Sequence, residues 1–89
     1  FEHHDFLGQF RQALENVVTV LRSAGAGPEH VTRMTWYVTD RQQYLADLGE
    51  VGRTYREVMG KHFPAMSVLE VSALIEDEAL VEIEATAVK

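Results

Sequence analysis

Two glutamates near the end of the chain, Glu82 and Glu84, stand two residues apart in an otherwise apolar stretch. On a β-strand that spacing puts both carboxylates on one face. Two such groups can work as acid and base, or one can hold a water for attack. The same spacing also describes a solvated sheet face, and charged side chains usually sit in water. Apolar neighbours on both sides weaken the solvated reading, because a carboxylate in a packed strand must be exposed or paired. His3-His4 suggests a metal, but adjacent histidines point in different directions and no further His or Cys completes a set. His30 and His62 fall at element boundaries and are expected to be solvated, with His62 also able to line a pocket. Trp36 and Tyr37 could stack on a ring, but Met34 and Val38 share the Trp36 face and favour core packing. Ser67 and Ser72 lack the Gly-x-Ser-x-Gly setting of a serine nucleophile. No phosphate loop or dinucleotide fingerprint is present.

Several elements must position these residues. An amphipathic helix is expected over 5–24, with Phe6, Phe10, Leu14, Val17, Val18 and Leu21 at three- and four-residue steps. Asp5 suits the N-cap and Gly25 the C′ position. Residues 30–39 read as a strand covered on both faces, hence an internal one. Asp40 and Gln43 match a capping box that opens a second helix running to Gly60. Phe63-Pro64 sets an extended entry into a strand over 65–75. Glu76-Asp77-Glu78 makes an acidic turn, and 80–88 reads as the last strand. The strand–helix–strand step points to a parallel crossover.

The 89 residues fit one domain, and a domain this short gains from oligomerisation. Without cysteine there is no disulfide scaffold, thiolate metal site or cysteine nucleophile. The net charge is −6, from 8 basic and 14 acidic residues, and the basic residues are scattered. That balance argues against nucleic acid as a partner. No apolar run approaches a membrane span, and the polar start is unlike a signal peptide. A cytoplasmic protein is therefore expected.

Several stretches in order resemble the RidA (YjgF) family of imine and enamine deaminases. They are Gln12-Ala13-Leu14-Glu15-Asn16-Val17, 21–25, 31–40, 51–55, Phe63-Pro64-Ala65 and Val81-Glu82-Ile83-Glu84-Ala85. The resemblance implies an α+β, chorismate-mutase-like fold, with two helices on one face of a mixed sheet. It implies that the last strand inserts beside the Val31 strand. It also implies a homotrimer with small-molecule sites in the clefts between subunits, and no cofactor. Family deaminases hydrolyse reactive imines to a ketoacid and ammonia. In that pattern Glu82 positions the attacking water, and the residues after Phe-Pro-Ala hold the substrate, here Met66, Ser67 and Val68.

The chain departs from the family pattern in four ways. Met66 stands where the family has an arginine that clamps the substrate carboxylate. Gly52 stands where an asparagine is common. The linker from Met66 to Glu82 is one residue longer. The strands that open the family fold are also missing, so residues 1–89 are expected to form one N-terminally incomplete domain. The expected function is imine hydrolysis with an atypical substrate preference. Non-catalytic binding of a small molecule in the same cleft is the alternative. Endoribonuclease activity, a label attached to parts of the family, is opposed by the acidic charge.

Overall fold

The computed structural model describes residues 5–89. Helix α1 (Phe6–Ser23) forms where the spacing requires it. Asp5 accepts a hydrogen bond from the Gly8 N–H at 3.3 Å. At the other end the Ala26 N–H reaches Leu21 O and the Gly25 N–H reaches Arg22 O. This pair of bonds is a Schellman closure, and it needs the positive φ of 76° that Gly25 adopts.

A short 3-10 turn (Pro28–His30) leads into β1 (Val31–Val38). Helices α2 (Arg41–Ala46) and α3 (Leu48–Met59) follow, then β2 (Ala65–Glu70) and β3 (Val81–Ala87). The sheet order is β2-β1-β3. β1 pairs in parallel with β2 and antiparallel with β3. The internal strand, the parallel crossover and the insertion of the last strand beside β1 all stand as expected. A bulge between Val31 and Arg33 interrupts the β1–β3 register.

The second helix differs from expectation. One helix was expected from Asp40 to Gly60; the chain breaks it at Asp47, which ends α2 and precedes α3. Asp40 does cap α2, accepting from the N–H groups of Gln42 and Gln43. The Gln43 amide does not reach back to complete a box. It donates forward to Asp47 Oδ2 at 2.7 Å. β2 is also shorter than expected, ending at Glu70.

The core lies between the helices and one face of the sheet. Phe10, Leu14 and Met34 are fully buried, and Trp36, Val38, Val51, Tyr55 and Val81 nearly so. Ring contacts run from Phe10 to Trp36 at 4.8 Å, on to Tyr55 at 6.0 Å, and out to Phe63 at 5.4 Å. Trp36 is thus a core residue, although its Nε1–H finds no hydrogen-bond partner among the described residues. α1 packs on α3 and on β3. An Arg11–Glu57 ion pair ties the exposed edges of the two helices.

Candidate functional site

Glu82 and Glu84 lie on β3, opposite Tyr37 and Thr35 of β1. Strand alternation puts them on the face turned away from the helices, since Val81, Ile83 and Ala85 pack toward the core. Both glutamates are exposed. Neither side chain carries an ion pair or hydrogen bond among the described residues. Their Cα atoms are ~6.7 Å apart by strand geometry.

The other expected site residues are on the opposite edge. Met66 pairs with Met34, Ser67 with Thr35, and Val68 with Trp36. Ser67 shares the open face with Thr35 and Glu84. Val68 packs against the core. Met66 falls on the helix side and is 39% exposed. Gly52 lies on α3, where an added Cβ would meet only Arg56 Nη1, at 3.5 Å. A larger residue would fit there, so local space does not impose the glycine.

A single chain does not bring Met66 and Glu82 together. They sit on strands either side of β1 and on opposite faces. Through Met34, Met66 aligns with Ala85, three residues along β3 from Glu82. Two strand spacings and three residue rises separate the two Cα atoms by ~13 Å.

A groove of about 840 Å³ runs between α1 and β3. Val17, Val20, Ile75 and Ile83 give it apolar walls, and Gln12 and Glu82 give it polar ones. Gln9, not singled out in the sequence, organises this end. It is 5% exposed. Its Nε2 donates to Glu78 O at 2.9 Å, and its Oε1 accepts from Leu80 N–H at 2.7 Å. These bonds pin the loop before β3 to α1. The available signal was a polar residue three positions after Phe6, inside the apolar stripe.

The histidines correct another expectation. His30 and His62 are half-buried and bonded to backbone, not simply solvated. His30 Nδ1 accepts from the Gly27 N–H at 3.0 Å. His62 Nε2 lies 2.7 Å from Val31 O, and its carbonyl accepts from Tyr55 Oη–H at 2.6 Å. His3 and His4 lie outside the described residues. Among the described residues no three His, Cys, Asp or Glu side chains cluster to hold a metal. None of the described helices is long and apolar enough to cross a membrane.

The sequence profile of the endoribonuclease L-PSP family matches residues 1–89. The chain belongs to this family, known also as RidA or YjgF. The RidA relatives include the 2-iminobutanoate/2-iminopropanoate deaminase of Salmonella typhimurium. It is 38% identical over 88 residues, covering 96% of this chain and 65% of the relative. Among solved structures, Rv2704 of Mycobacterium tuberculosis, a member of the YjgF/YER057c/UK114 family, is 40% identical with a TM-score of 0.80. It matches 96% of this chain and 69% of its own. Escherichia coli TdcF with bound serine is 32% identical with a TM-score of 0.81, matching 96% of this chain and 65% of its own. The chain spans 54% to 65% of the length of the curated RidA relatives it matches. The mixed sheet with helices on one face is therefore the RidA fold.

Proposed function

We propose that this RidA protein hydrolyses a reactive small-molecule imine or enamine, with Glu82 positioning the water. The carrying observation is the Glu82 carboxylate, exposed and without an ion-pair or hydrogen-bond partner among the described residues. In the proposed step the water oxygen bonds to the imine carbon while Glu82 takes up a water proton. That proton passes to nitrogen, the hydroxyl proton of the resulting carbinolamine follows it, the C–N bond breaks, and a carbonyl compound and ammonia leave. Met66, Ser67, Val68 and Gly52 contribute to substrate binding. Because Met66 and Glu82 are far apart in one chain, the complete site joins residues of different subunits. The proposed assembly is a cytoplasmic homotrimer of this domain.

The Salmonella relative is named for 2-imino acids, which carry a carboxylate. Met66 cannot clamp a carboxylate, so the preferred substrate here differs from that relative's. Met66 also supports a second reading, a non-catalytic trimer that binds a small metabolite in the same cleft.

Ammonia release from enzymatically generated imines separates the two. Glu82→Gln should lower the rate by about 100-fold or more, the usual scale for a lost acid–base group. Full activity in Glu82→Gln would remove the role assigned to Glu82. No release from any imine, with a trimer by light scattering, would favour the binding protein.

A further inference from the structure

We infer that the substrate of this site is an imine without a carboxylate, taken up as its protonated iminium form. This rests on the proposed hydrolysis at Glu82 and adds the chemical class of what is hydrolysed.

The first observation is electrostatic. Residues 62–88, which include β2, β3 and the loop between them, contain six carboxylates and neither lysine nor arginine. A substrate carboxylate entering there meets repulsion, whereas an iminium cation is drawn in. The second observation concerns the cations elsewhere. Arg11 is held by Glu57, and Arg53 by Glu50. Arg33 lies on the open face with Glu82 and Glu84, across the sheet from Met66, and is outnumbered there by those two carboxylates. Lys61 is exposed before the Phe63-Pro64 corner, and offers a mobile point charge rather than a two-pronged fork. The third observation is apolar surface. Met66 is 39% exposed and Phe63 is 63% exposed. A bare thioether and an aromatic ring suit a hydrocarbon substituent and can face a cation.

An imine of this class comes from an amine, not from an amino acid. Two-electron oxidation of a primary amine by a flavin-dependent oxidase removes two electrons and two protons and leaves the carbon–nitrogen double bond. Hydrolysis then adds one water, releases ammonia and leaves an aldehyde or ketone. The protein would thus act directly after an amine oxidation.

The test supplies two imines in parallel. One comes from benzylamine with a flavin-dependent amine oxidase, the other is 2-iminopropanoate from alanine with an amino-acid oxidase. Loss of each imine above its spontaneous rate is followed by semicarbazide trapping. The parent protein should favour the benzylamine-derived imine in kcat/KM by about tenfold or more, the scale of one charged contact. Met66→Arg should shift that ratio toward 2-iminopropanoate by a similar factor. A second readout needs no variant: KM for the benzylamine-derived imine should rise with salt as the attraction is screened. A Glu82-dependent preference for 2-iminopropanoate would overturn the inference and leave imine hydrolysis standing. A salt-independent or falling KM would also overturn the cationic form. No acceleration of either imine would overturn both the inference and the hydrolytic reading.

Discussion

On the helix side of β1, Met34, Trp36 and Val38 are at most 4% exposed, and every one touches the core. On the other side of the sheet Thr35 is buried, but Arg33, Tyr37, Leu69, Glu82 and Glu84 are not. The helix side is selected by packing: its residues are apolar because α1 and α3 cover them. The open side is not required for the chain's own burial. Its carboxylates Glu82 and Glu84 are held by no partner among the described residues, which leaves them available for chemistry or for contact with another subunit.

The sharpest way to break this contrast is to truncate one residue on each side. Phe10→Ala removes a fully buried ring and should cost about 3–5 kcal/mol of unfolding free energy in a denaturant titration. Leu69→Ala, on the open face, should stay within about 0.5 kcal/mol in the isolated chain. A large loss at Leu69 would mean that the open face is already packed in solution, as a subunit interface would require.

A smaller effect tests the joint between α1 and β3. Gln9→Leu keeps the volume but deletes both bonds to the loop. It should cost about 2 kcal/mol, because the Leu80 N–H and the Glu78 carbonyl lose their partner. Amide exchange at Leu80 should quicken while β1 stays protected. Unchanged exchange at Leu80 would show that the loop is held by other means.

The smallest effect concerns the rim of the core. Tyr55→Phe deletes the bond to His62 O and should cost about 1 kcal/mol. Burial raises the phenol pKa of both Tyr44 and Tyr55 above the ordinary tyrosine value. Below that value both phenols stay protonated in folded and unfolded chains alike. Above it the unfolded chain releases protons that the folded chain retains, so stability falls as pH rises. Tyr55→Phe should make that alkaline decline shallower in thermal unfolding followed by circular dichroism.

Much of the fold was legible because it depends on local patterns. The α1 stripe, the Asp5 and Asp40 caps and the glycine closures at Gly25 and Gly60 are set within a few residues. The central place of β1 followed from a pattern with no cleanly polar face, although the expected cover on both faces is absent here: the face with Arg33 and Tyr37 carries no helix. The features that escaped depend on distant neighbours. Apolar periodicity continues through Asp47, so the break between α2 and α3 leaves no gap in the pattern. β2 stops near Glu70 because β1 has no pairing left to offer. The last rung is Val71 N–H to Val38 O, and Glu70 turns aside to accept from the Arg41 N–H at 2.7 Å. Residues 72–75 continue the stretch expected as strand but have no strand partner among the described residues. At the candidate site, the strands carrying Glu82 and Met66 were legible, but their separation was not. Register and face together decide it, and both belong to the assembled sheet.

The bulge at the start of β1 has a consequence for which sequence changes the chain can absorb. Side chains alternate with a period of two, yet Val31 and Met34 both point into the core across an odd interval. The extra residue acts as a phase correction, with Thr32 and Arg33 sharing the outer side. Deleting Thr32 would leave Val31 two residues from Met34, so regular alternation would still turn both into the core and only the bulge would be lost. A one-residue deletion between Met34 and Val38 has no such slack, because it would turn the residues on one side of the cut to the wrong face. Natural length variation should therefore collect at the bulge and avoid the run from Met34 to Val38.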